Sequence, residues 1–150
     1  MMSEGPVRIL FVCVENACRS QMAEAFARHY GHGHIEASSA GSKPCGQVDP
    51  TAIAVMQEKG IDLGAQTSKG LSDLPRITWD VVVGMGCGED CAVVAAKKRL
   101  MWTIPDPSRQ PVEVYRQVRD VIDEAVATLL ARLAPSVNPT PRPWGGVNVD

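Results

Sequence analysis

The sequence predicts an α/β fold, a doubly wound four-stranded parallel sheet with helices on both faces. Three observations predict it. Val7-Arg8-Ile9-Leu10-Phe11-Val12 and Trp79-Asp80-Val81-Val82-Val83 are short, β-branched apolar runs, as in a sheet covered on both sides. Segments of helical periodicity alternate with the strands, an order that implies parallel pairing and right-handed crossovers. The stretch Cys13 to Ser20 falls where the first strand hands over to a helix, at the carboxyl edge where ligands sit in such sheets.

The elements follow in chain order. Met1 to Pro6 is a short lead into the first strand. Met22, Ala23, Ala25, Phe26 and Ala27 mark the apolar side of a helix over Gln21–Tyr30, which Gly31 and Gly33 end. Ile35 to Ser38 reads as the second strand and Ser39 to Pro44 as the loop after it. Asp49 caps a helix with Pro50 in its first turn, and Gly60 stops it. Gln66 to Lys69 reads as a helical or turn region whose polar residues have no evident core purpose. After Trp79–Val83 the chain turns at Gly84-Met85-Gly86. Ala92 to Lys98 looks helical, and Arg99 to Ile104 holds a short last strand before Pro105-Asp106-Pro107. Apolar residues from Val114 to Leu133 recur at helical spacing, which predicts one long amphipathic helix. Residues 1–134 therefore read as one folded domain. Residues 135–150, with four prolines and two adjacent glycines, read as a mobile tail.

Composition narrows the function classes. With 45% hydrophobic residues, 21% charged residues and a net charge of −2, the chain resembles an ordinary globular protein. That balance argues against broad nucleic-acid binding. No apolar run reaches membrane-spanning length and the lead lacks a signal pattern, so a cytoplasmic location and no membrane partner are the expectation. Five cysteines, an odd number, do not suit a fully paired disulfide framework. In a reducing compartment they are candidates for catalysis, redox exchange or metal binding.

The chemistry concentrates in residues 13–20. Backbone N–H groups of Cys13, Val14, Glu15, Asn16, Ala17, Cys18 and Arg19, at a helix N-terminus, can converge on one anion. Arg19 adds a planar fork of donors suited to a tetrahedral oxyanion. The same positive surroundings favour a nucleophilic thiolate at Cys13. Cys18 reads as a packing residue, and Cys45 has no role implied by spacing. Cys87 and Cys91 are open to three readings: redox partners of Cys13, packing cysteines, or two metal ligands with a histidine. Asp106, between two prolines, is either a turn residue or a rigidly presented acid.

The 13–20 loop, the Asp106-Pro107 pair and the order of elements resemble the low-molecular-weight protein tyrosine phosphatase superfamily. Within it, Asn16-Ala17-Cys18-Arg19-Ser20-Gln21-Met22-Ala23-Glu24, Ser39-Ala40-Gly41, Gln66-Thr67-Ser68 and the paired downstream cysteines look more like thioredoxin-coupled arsenate reductases. The resemblance runs from about Val7 to Leu133. It implies a catalytic domain in which Cys13 is the nucleophile, Arg19 binds the oxyanion, Asp106 is the general acid and Ser20 donates to the thiolate. It further implies a Cys13–Cys87, then Cys87–Cys91, disulfide relay emptied by thioredoxin, with arsenate or phosphate as the bound oxyanion. In the reductases Asn16, Glu24 and Ser39 would lie near a potassium ion. Lys69 stands where the potassium-binding forms carry an acidic residue. A lysine cannot ligate a cation, which speaks against potassium and leaves no cofactor expected. Phosphomonoester hydrolysis by Cys13, Arg19 and Asp106 is the rival activity. Against it, the phosphatases line their slot with aromatic residues, whereas the two tyrosines here, Tyr30 and Tyr115, fall on helices.

Overall fold

The computed structural model describes residues 5–31, 33–86 and 94–133. Cys87, Cys91, the first residues of the expected 92–98 helix and the expected tail at 135–150 lie outside the described residues. The element order is β1 (Val7–Cys13), α1 (Arg19–Gly31), β2 (Ile35–Gly41), α2 (Pro50–Gln57), β3 (Trp79–Gly84), β4 (Ala96–Met101) and α3 (Val112–Leu133). The strands form one four-stranded parallel sheet in the order β2-β1-β3-β4. The chain steps from β1 outward to β2, then crosses back to β3 on the other side of β1. That reversal leaves a crevice at the carboxyl end of β1, where Cys13 ends the strand.

Ile9, Phe11, Cys13, Val81 and Val83 point to one face of the sheet and are covered by α1, α2 and α3 in a single apolar cluster. The alternate residues Leu10, Val12 and Val82 point to the other face. Among the described residues that face is covered by Leu71, Leu74 and Ile77, around a 3-10 turn at Leu71–Asp73. The alternation is the period of two expected of strands. α1 is buried almost all round because the sheet and α3 both pack on it, so even its polar Gln21 and Glu24 are inside. Asp49 caps α2 as expected, its Oδ1 accepting from Thr51 N at 2.9 Å. No described helix is long and apolar enough to cross a membrane.

Three local expectations change. Ser39-Ala40-Gly41 belongs to β2 rather than to a loop, because it continues the ladder opposite Phe11, Val12 and Cys13. Ala96 to Lys98 is strand, not helix: β4 pairs Trp79↔Ala96 and Val81↔Lys98 and ends at Met101. Its Lys97, Lys98 and Arg99 imitate a helix's polar side, but charges along an edge strand shield its free backbone edge from unwanted pairing. Gln66–Lys69 is neither helix nor turn. It runs extended past β2, where Gly41 N donates to Lys69 O at 2.9 Å and Gly70 bridges Gly41.

Candidate active site

The 13–20 loop is shaped by what its carbonyl groups bind. Cys13 O accepts from Ser42 N at 3.1 Å, Val14 O from Lys43 N at 2.8 Å, Glu15 O from Cys45 N at 3.2 Å and Ala17 O from Asp49 N at 2.9 Å. Asn16 O accepts from Gln21 Nε2 at 3.0 Å, and Cys18 O from Met22 N at 2.9 Å. Every carbonyl from 13 to 18 is therefore drawn outward. Across a trans peptide the next N–H points the opposite way, so the N–H groups of 14–19 turn inward. They face a cavity of about 170 Å3 lined by Cys13, Val14, Glu15, Ala17, Cys18, Arg19, Asp106 and Ser108. The inward turn of these N–H groups, an arrangement that suits an anion, is thus a consequence of where the carbonyls are anchored.

Asn16 sets the turn. It has φ 52, in the left-handed region that asparagine tolerates better than most residues, and it is fully buried. Its Oδ1 accepts from Lys69 N at 2.8 Å and from Gln21 Nε2 at 2.9 Å. Its Nδ2 donates to Ser20 Oγ at 2.8 Å. Ser20 Oγ lies 2.8 Å from Cys13 Sγ. With Asn16 donating into the hydroxyl oxygen, the single Ser20 hydrogen is free to point at the sulfur. A thiolate is the form that benefits from that donor.

Arg19 opens α1 and is held at both ends of its guanidinium. Nη1 donates to Ile104 O at 3.1 Å, and Nη2 lies 3.8 Å from Asp106 Oδ2. Gly86, at φ +103, fits against it: a Cβ there would stand 3.0 Å from Arg19 Nη1. Asp106 Oδ1 accepts from Ser108 N at 3.0 Å. Partial burial pushes the Asp106 carboxyl up. The Ser108 hydrogen bonds and the Arg19 charge outweigh that and hold it below the ordinary carboxylate range. Cys18 lines the same cavity but differs in kind. Burial, then the nearby Asp49, Asp106 and Cys13 charges, pushes its thiol far up against the opposing Arg19, so it stays a neutral thiol.

The structure brings Cys13, Val14, Glu15, Ala17, Cys18, Arg19 and Asp106 to one cavity, with Asn16 and Ser20 directly behind it. Glu24 lies deeper, 1% exposed, its carboxylate bound by Ser39 Oγ at 2.6 Å and Arg28 Nη2 at 2.6 Å. Lys69 Nζ stands 3.7 Å from Glu24 Oε1 and 3.4 Å from Thr67 O. A potassium ion does not fit beside that ammonium group. Gln21, Gln66, Ser68, Gly41, Gly86 and Ser108 carry parts of the site to which sequence reasoning assigned no role. Gln21 Nε2 reaches Thr67 O at 2.8 Å, Gln66 Nε2 reaches Gln21 Oε1 at 2.7 Å, and Ser68 Oγ donates to Glu15 O at 3.1 Å. The polar run 66–69 therefore braces the loop from outside. A Cβ at Gly41 would strike the Val14 carbonyl oxygen, so only glycine lets β2 pass so close. The available signal was the run of polar residues at 66–69 without a core purpose.

Residues 8–138 match the family described as low molecular weight phosphotyrosine protein phosphatase. The chain is 39% identical over 130 residues to a glutaredoxin arsenate reductase of Synechocystis sp., covering 85% of this chain and 98% of that protein. The solved structure of an arsenate reductase in the phosphate binding state superposes with a TM-score of 0.77 at 38% identity, over 85% of this chain and 99% of the other. A thioredoxin-dependent arsenate reductase of Corynebacterium glutamicum gives a TM-score of 0.73 at 27% identity, over 90% of this chain and 65% of that one. With its Cys-x5-Arg-Ser loop formed between β1 and α1, the chain belongs to the low molecular weight phosphotyrosine protein phosphatase family, in the company of its arsenate reductases.

Proposed function

We propose that the protein reduces arsenate to arsenite through a covalent adduct on Cys13 and a relay of Cys13, Cys87 and Cys91. The observation that carries the reductase reading is the position of Gly86. Its Cβ site is 3.0 Å from Arg19 Nη1, and Cys87 is the next residue in the chain, so a second cysteine follows directly in sequence on a residue that packs against Arg19. The small cavity supports it too: no described lining residue is aromatic, which suits a bare oxyanion better than a phosphotyrosyl side chain.

Arsenate enters against the inward N–H groups and Arg19, which stabilise its charge as it develops. The Cys13 thiolate attacks arsenic, and a hydroxyl departs as water with a proton from Asp106. In the free protein Asp106 is a carboxylate beside Arg19; the incoming oxyanion competes for that positive charge and brings the proton. The Cys87 thiolate then attacks Cys13 Sγ. The S–As bonding pair stays on arsenic, which leaves as arsenite, and two thiols become the Cys13–Cys87 disulfide. Attack by Cys91 on Cys87 frees the Cys13 thiolate and passes the disulfide on. An external dithiol, thioredoxin, returns it to thiols. Because one similar protein is named for glutaredoxin, that donor is the second candidate.

The test is turnover on one preparation. NADPH consumption is followed with arsenate and the thioredoxin system, with arsenate and the glutathione–glutaredoxin system, and aryl phosphate hydrolysis is measured alongside. Arsenate turnover with either donor supports the reading and names the donor. Efficient aryl phosphate hydrolysis with no arsenate turnover replaces it by the phosphatase reading.

A further inference from the structure

A run of side-chain amides approaches Cys13 from the 66–69 segment, and backbone groups with only one possible role dictate its direction. Lys69 N–H can only donate, so the Asn16 atom facing it at 2.8 Å is Oδ1, which leaves Nδ2 for Ser20 Oγ at 2.8 Å. Asn16 O and Thr67 O can only accept, so the Gln21 atom 3.0 Å and 2.8 Å from them is Nε2. The same Nε2 reaches Asn16 Oδ1 at 2.9 Å. Gln21 Oε1 therefore faces Gln66, whose Nε2 donates to it at 2.7 Å and to the Gln21 carbonyl oxygen at 3.1 Å. Gln66 N is in turn tied to Leu63 O at 3.1 Å. Donors thus run one way, from Gln66 to Gln21, Asn16, Ser20 and finally Cys13 Sγ, 2.8 Å from Ser20 Oγ. Gln21, Asn16 and Ser20 are fully buried, so bulk water does not compete for these bonds.

We propose that Gln21 and Gln66 are positioning residues for the reaction: they fix which way the Asn16 amide faces and so aim the Ser20 hydrogen at the Cys13 sulfur. The proposal rests on Cys13 as the nucleophile and not on which oxyanion it attacks. Turning the Gln21 amide over would set its Oε1 against three oxygens, Asn16 O, Asn16 Oδ1 and Thr67 O, and its Nε2 against the Gln66 amide donor. What Gln66 supplies is therefore polarity rather than bulk. A carboxylate of the same shape at 66 has no hydrogen to give, and it draws Gln21 Nε2 toward itself. The Gln21 oxygen then stands beside Asn16 and competes for its Nδ2, and Ser20 loses the donor that leaves its hydrogen for the sulfur.

Gln66→Glu and the uncharged, similarly sized Gln66→Met are made in the full chain, each alone and in a Ser20→Ala background. Alkylation of Cys13 by iodoacetamide, located by mass spectrometry, is followed across a pH series, together with kcat on aryl phosphates and on arsenate. At neutral pH Gln66→Glu should alkylate about tenfold more slowly than wild type, with its pH profile displaced upward, and Gln66→Met about threefold more slowly. In the Ser20→Ala background each loss should fall below about twofold, because residues that act through one hydrogen are not additive. A purely structural role, or the field of the new charge at 66, would carry over into that background undiminished, which overturns the proposal. Wild-type alkylation by Gln66→Glu overturns it too, as does a loss in Gln66→Met equal to that in Gln66→Glu. Should Gln66→Glu not fold, Gln66→Met decides alone, since its loss must vanish with Ser20→Ala. Cys13→Ser is assayed alongside. Turnover retained there overturns the proposal through its premise, whereas turnover lost there with Gln66→Glu unchanged overturns the positioning role alone.

Discussion

Replacing Asn16 by alanine tests whether the loop is held as its hydrogen bonds imply. The substitution leaves Lys69 N–H without its 2.8 Å acceptor, while Gln21 Nε2 keeps Asn16 O and Thr67 O. One orphaned, partly buried N–H costs about 1–3 kcal/mol. Holding alanine at the left-handed φ of 52 adds about 1–2 kcal/mol. The sum, about 3 kcal/mol, is below the usual stability of a domain, about 5–15 kcal/mol, so N16A should fold but melt earlier. Its turnover should fall about tenfold, because Ser20 loses the donor that leaves its hydrogen free for Cys13. Asn16→Gly separates the two costs. Glycine relieves the left-handed strain but gains about 0.4–1 kcal/mol of unfolded-state entropy, leaving N16G ahead of N16A by about 0.5–1 kcal/mol. Urea denaturation of the three proteins, with steady-state rates on the same samples, measures both effects. A loss below about 0.5 kcal/mol in N16A, with wild-type turnover, would refute the account of the loop given by these bonds.

Asp106→Asn should slow aryl phosphate hydrolysis by about 10²–10⁴-fold for poor leaving groups and much less for good ones. A uniform, small loss across the series leaves Asp106 as a turn residue. Cys87→Ser and Cys91→Ser should each abolish multiple-turnover arsenate reduction and spare aryl phosphate hydrolysis, and mass spectrometry after alkylation should find the Cys13–Cys87 disulfide only in C91S. Full arsenate turnover by both variants would end the relay. Glu58 is held down to about 2 by hydrogen bonds from Arg116 first and Arg119 second, against an ordinary value of 4.5. Its folded value is the lower one, so its stabilisation is complete above pH 4.5 and is lost as pH falls toward 2. Thermal melts of Glu58→Gln should therefore lie below wild type at pH 6 and converge with it toward pH 2.5; a constant gap would contradict the linkage.

The sequence by itself determined the α/β fold, the long α3, the Asp49 cap and the identity of the site loop. Those features are local: β-branched runs, a 3.6-residue period, a cap before proline, and eight consecutive residues between strand and helix. Asp106, distant in sequence from that loop, was legible because its proline-bounded position implied a strand end at the same edge of the sheet. Tertiary structure decided the rest. Ala96–Lys98 become an edge strand because β3 offers an unpaired ladder, and local periodicity does not register that ladder. Gln66 to Lys69 acquires its purpose from Asn16, Glu15 and Gln21, about fifty residues away along the chain, and no local pattern encodes that approach. The inward aim of the loop's N–H groups was likewise fixed from outside, by donors at Ser42, Lys43, Cys45 and Asp49 drawing its carbonyl groups outward. A sequence names the groups that can bond; the fold alone decides which donors reach which acceptors, because that depends on elements packed across the sheet rather than along the chain.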